Sequence, residues 1–119
     1  MRYRSPKRAK RDAEAKPIRD GMVAEIGRCM RCGCSQEHPR RGRLPQINQL
    51  CVHEIANGPL REKAQDKRYS TLVLCWGCND EFNDKGAWPE TRQLALLLYR
   101  KPDWYDLAAH NRLVNARAP

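Results

Sequence analysis

Apolar residues along the chain are unevenly spread, and their spacing sorts it into segments. Residues 1–20 hold only Tyr3 and Ile18 as apolar residues apart from alanines and Met1. Such a stretch has little to bury against its ordering entropy and predicts a disordered arm. Residues 21–28 are mildly apolar, and 35–49, with Pro39, Gly42 and Pro45, read as an exposed loop. Leu50–Ile55 is short and β-prone. Alternation puts Leu50, Val52 and Glu54 on one face and Cys51, His53 and Ile55 on the other. The turn Asn57-Gly58-Pro59 ends it, and Tyr69–Leu74 predicts a second strand. Asn79–Lys85 then reads as the first turns of a short helix. Pro89 fits the start of another, running to about Arg100, and 103–115 is a last helix. The block Leu94–Tyr99 is apolar almost all round, which predicts burial by the hairpin or by a second subunit. A stripe of Trp104, Leu107, Ala108 and Val114 is expected on the last helix, and Trp76, Trp88 and Trp104 are expected in the core.

This is a small α+β pattern in 119 residues, one domain with a tail. The expected organisation is a basic arm over 1–20, a domain over 21–88 and a helical extension over 89–119. A core this small usually needs a staple. The formal net charge of +9 and pI near 9.6 point to a polyanionic partner, nucleic acid before a membrane surface. Eight Lys/Arg against three Asp/Glu in residues 1–20 suit salt-sensitive phosphate contact. No apolar run is long enough to span a bilayer, and MRYRSPKRAKRD lacks the apolar segment of a secretory signal. A cytoplasmic, reducing location is therefore expected, where six cysteines serve as metal ligands or free thiols.

Cys29-x-x-Cys32 and Cys75-x-x-Cys78 supply the staple. Each pair gives two thiolates from one turn, and four thiolates make the tetrahedron of a structural Zn²⁺. Gly33 leaves room for the first turn to close, while Cys34 is a spare thiol that could replace Cys32. A redox pair would need a βαβ context that the pattern lacks. A site closed by four thiolates serves folding rather than chemistry.

The order Cys29-x-x-Cys32, Val52-His53-Glu54-Ile55, Leu74-Cys75-x-x-Cys78-Asn79 resembles the HNH (ββα-metal) endonucleases, most of all small zinc-containing members common in phages. The resemblance covers about residues 26–85. It implies a zinc-stapled ββα-metal domain, to which the two C-terminal helices read from the apolar pattern are additional. It also implies hydrolysis of DNA phosphodiesters with Mg²⁺ or Mn²⁺, with His53 and Asn79 as ligands of the catalytic ion. Glu54 stands where the family has its general-base histidine, and Ser70 where it has a middle asparagine.

The chemistry can be stated on its own terms. Cleavage needs an activated water, charge stabilisation on the phosphoryl oxygens and help for the leaving oxygen. Glu54 can take the proton from water, or exchange roles with His53, since an imidazole is the better base and a carboxylate the harder ligand. Alternation separates the two side chains unless a bulge or strand end intervenes. Arg61 can clamp the scissile phosphate, and Asn83, one turn after Asn79, can add a ligand. The alternatives are a zinc-stapled DNA- or RNA-binding module without catalysis and an interaction protein, with homo-oligomerisation through the C-terminal helices.

Overall fold

In the computed structural model, residues 5–56 and 60–115 are described, without the side chains of residues 61 and 62. The turn expected at 57–59 lies outside them. Helix α1 (Pro6–Ile26) comes first, then β1 (Leu50–Glu54), the single turn α2 (Arg61–Ala64), β2 (Thr71–Cys75), α3 (Trp76–Phe82), α4 (Glu90–Arg100) and α5 (Leu107–Asn115). Two 3-10 turns, Pro45–Asn48 and Arg68–Ser70, lead into the strands. Tyr69 and Ser70 thus belong to a turn rather than to the second strand.

The strands pair antiparallel, with Leu50 opposite Cys75, Val52 opposite Val73 and Glu54 opposite Thr71. β2 is buried along its whole length, because α1 and α4 both pack on it. α3 follows with no intervening loop. Cys75 is its N-cap, and the Cys75 Sγ accepts a bond from the Cys78 amide at 3.4 Å. The core joins Met22 of α1, the strand residues Val52, Leu72, Val73 and Leu74, Phe82 of α3, and Leu94 and Leu97 of α4.

The expectation of a disordered arm is corrected: residues 6–20 are helical and continue unbroken through the expected boundary at residue 20. Low apolar content hid a strong local case for helix. Ser5 caps the first turn by accepting from the Arg8 amide, and Pro6 occupies the first helical position. Alanine, lysine and arginine are good helix formers, and Lys16–Asp20 pairs one turn apart at 2.7 Å. Docking then needs few residues: Ala15 and Met22 are buried, and Arg19 reaches the hairpin. Pro17 lies inside the helix, where it removes the amide that would bond the Ala13 carbonyl.

Two expectations for the C-terminal helices are also corrected. In α4, Leu94 and Leu97 are buried, but Leu98 and Tyr99 are exposed, because only one face of the 3.6-residue period meets the hairpin. In α5, Leu107 is exposed and the buried residue is His110. Its Nδ1 lies 2.9 Å from Ser70 Oγ, and its Nε2 lies 3.5 Å from a Glu90 carboxylate oxygen. A polar contact therefore anchors this helix together with Val114 of the expected stripe and Leu113, which pack on Ala56, Leu60 and Ala64. Trp104 precedes α5, is buried, and donates its indole N–H to Glu25 at 3.2 Å. No described helix is long and apolar enough to cross a membrane.

Candidate metal centre and cleft

The two cysteine turns meet. The four sulfur atoms of Cys29, Cys32, Cys75 and Cys78 lie within 4.8 Å of one another. Cys32 and Cys75 stand 3.8 Å apart, and the edge of a zinc–thiolate tetrahedron with bonds of about 2.3 Å is about 3.8 Å. The donor set therefore fits a metal ion such as Zn²⁺. The first turn is fixed by Gly33, whose φ of 78° belongs to the left-handed region, and by its amide bonding the Cys29 carbonyl. The Met30 amide bonds the Val73 carbonyl at 2.9 Å and ties this turn to β2.

Two arginines compensate the thiolates. Arg43 donates to Cys75 Sγ at 3.1 Å, and Arg31 lies 3.8 Å from Cys78 Sγ while pairing with Glu81. Gly77 makes this approach possible, since a Cβ there would stand 3.1 Å from Arg43 Nη2 and 3.0 Å from Ile47. The Cys78 thiol, bonding to Cys29, helps hold Cys29 down to about 4, and Cys78 itself is pushed up by the same contact. Burial works against Cys75, yet the Cys78 amide and Arg43 hold it below the ordinary thiol value. Cys34 is different: burial, then the neighbouring Cys32 and Cys75, push it up to about 12. It remains a thiol beside the set and outside it.

Between β1 and α3 lies an open cleft of about 420 Å³, lined by Arg19, His53, Glu54, Trp76, Asn79, Asp80 and Asn83 among others. His53 and Glu54 both reach it because Glu54 is the last residue of β1, the strand end that alternation required. His53 Nδ1 stands 2.9 Å from Asn79 Oδ1, so the two expected ligands are brought together. Asn83, one turn on, lines the same cleft. Arg61 opens α2, and its side chain lies outside the described residues. Glu54 is engaged by Arg19 at 3.3 Å, and Arg19 also donates to Gln65 and to the Val52 carbonyl.

Sequence reasoning missed Gln93, which decides how His53 is used. Gln93 is fully buried in α4, and its Nε2 donates to the Trp88 carbonyl at 2.7 Å and the Phe82 carbonyl at 3.2 Å. Those two acceptors fix the amide, so Oε1 must face His53 Nε2 at 2.8 Å and accept its proton. In the neutral ring Nδ1 then carries the lone pair. It faces a second lone-pair atom, Asn79 Oδ1, at contact distance. Two acceptors so placed are held together by a shared cation or proton. Rotating the Asn79 amide would instead give an ordinary neutral hydrogen bond. Gln93 left no sequence signal, since a glutamine in an apolar helix reads as a surface residue.

Trp76 was also misplaced by sequence. It is 45% exposed on the cleft, whereas Trp88 stacks on Phe82 at 4.0 Å and Trp104 is core. No family model, no curated protein and no solved structure matches the chain.

Proposed function

We propose that the chain is a metal-dependent endonuclease that hydrolyses DNA phosphodiester bonds at the hairpin–helix cleft, in the manner the HNH (ββα-metal) resemblance implies. One observation carries this reading: His53 Nδ1 and Asn79 Oδ1 converge at 2.9 Å while Gln93 holds the far side of the ring. An imidazole backed through one ring nitrogen, with the other turned to an amide oxygen, is a setting that suits a metal-binding histidine. Nitrogen and oxygen donors so paired fit Mn²⁺ or Mg²⁺. Bound there, such an ion supplies Lewis acidity toward the phosphoryl and leaving oxygens.

The protein's own groups do the rest. His53 and Asn79 hold the ion from opposite walls, one on β1 and one on α3. Glu54 takes the proton from the attacking water. Arg19, from the helix expected to be a loose arm, sets the orientation of Glu54 and brings positive charge to the cleft. The net charge of +9 favours DNA as the polyanion. The test is plasmid nicking with Mg²⁺ or Mn²⁺ by the parent, His53→Ala, Asn79→Ala and Glu54→Gln. Nicking by the parent that the variants lose upholds the reading, and a parent that binds DNA but never nicks it overturns it.

A second reading, a zinc-anchored DNA- or RNA-binding module, is favoured by the 2% exposure of His53 and by the engagement of Glu54 with Arg19. The two part at Gln93. Gln93→Leu removes the acceptor of the Nε2 proton and should weaken Mn²⁺ binding at the cleft about 10- to 100-fold, with zinc content unchanged. Isothermal titration with Mn²⁺ checks this. Because the variant also strips two buried carbonyls of a donor, at about 1–3 kcal/mol, a melting curve must accompany it.

A further inference from the structure

We propose that Trp76 is a stacking platform for one unpaired nucleobase, so that the strand entering the cleft is single-stranded or locally opened DNA. This rests on the nuclease reading and names its substrate class. Among the described residues, six large hydrophobic side chains are exposed, and of these only Trp76 lines the cleft. Trp76, Asn79, Asp80 and Asn83 recur at one-turn spacing along α3, so they form one stripe facing the cavity.

The spacing suits a nucleotide. Trp76 and Asn79 are three residues apart, about 4.5 Å along the helix axis, against about 3.4 Å per stacked base in a strand. Because Trp76, His53 and Asn79 line one cleft, a base lying on the indole is proposed to leave its own backbone beside His53 and Asn79. Asp80 and Asn83 offer an acceptor and an amide to the edge of that base. A duplex buries its base faces in its own stack and cannot use such a platform. An unpaired base can, whatever its identity, because every base has a π face. The cleft's volume of about 420 Å³ falls within the range of small-ligand sites.

The test uses zinc-loaded protein without added Mg²⁺ or Mn²⁺. Fluorescence anisotropy compares a labelled single-stranded oligonucleotide with a hairpin duplex of the same sequence. Trp76→Ala is expected to weaken single-strand binding about 5- to 150-fold, Trp76→Phe to restore most of it, and duplex binding to change less than about twofold. Zinc content and melting temperature should stay at the parent's values, because the indole is half exposed. A Trp76→Ala variant that weakens both ligands equally, or neither, overturns the proposal, as does a parent that binds neither. Nicking by a parent with no Trp76-dependent preference would overturn the platform and leave the nuclease reading standing. A Trp76-dependent preference in a parent that cuts nothing would uphold the platform and remove the nuclease reading.

Discussion

Stripping the metal from Cys29, Cys32, Cys75 and Cys78 is expected to unfold the domain around them. These four sulfurs are the hub at which the first cysteine turn, β2 and α3 join, and all but Cys32 are fully buried. Structural zinc contributes an apparent folding free energy of about 10–16 kcal/mol in small domains. The whole stability of a domain is about 5–15 kcal/mol, so a zinc ion held by this set would contribute a share as large as the total. The hairpin has two strands, too few to stand without support. A chelator, or Cys78→Ala, should therefore abolish the cooperative melt seen by far-ultraviolet circular dichroism. A chromogenic chelator should count one zinc released per chain. An unchanged melt after zinc removal would show that the apolar core suffices.

His53→Ala is expected to lower cleavage about 1,000-fold or more. The variant removes the nitrogen donor of the proposed ion. Losing several kcal/mol of charge stabilisation in the transition state corresponds to three or more factors of ten in rate. Asn79→Ala should lose nearly as much, and the double variant little beyond either alone, because both act through one ion. Glu54→Gln should cost about 100- to 10,000-fold as a lost general base, with Mn²⁺ affinity retained. Single-turnover nicking at saturating Mn²⁺ separates loss of the ion from loss of the base. Parent-level cleavage by any of the three variants would contradict the role assigned to that residue.

Much of this was legible in the chain, for identifiable reasons. Cysteine pairs announce a metal site because thiolate geometry demands that spacing, and the structure brings all four within reach of one ion. Pro89 and the apolar period located α4 from Glu90 to Arg100. The meeting of His53 and Asn79 followed from a strand leading through a cysteine turn into a helix. What escaped depended on contacts distant in sequence. Residues 6–20 look unable to fold alone, yet they form α1 by local propensity and dock through Ala15, Arg19 and Met22. Gln93 approaches His53 only because α4 packs back onto the hairpin, forty residues on in the chain. The exposure of Trp76 depends on which side of α3 the cysteine turn occupies, and composition carries no sign of that.

One ion shared between β1 and α3 is the centre of the account, and manganese relaxation addresses it directly. Substoichiometric Mn²⁺ is added to zinc-loaded, isotope-labelled protein, and the histidine ring and asparagine side-chain signals are followed. The predicted result is that the His53 and Asn79 signals broaden at the lowest Mn²⁺ fractions, ahead of those of His110, which sits behind α4 against Glu90 and Ser70. Sharp His53 and Asn79 signals throughout the titration would contradict it.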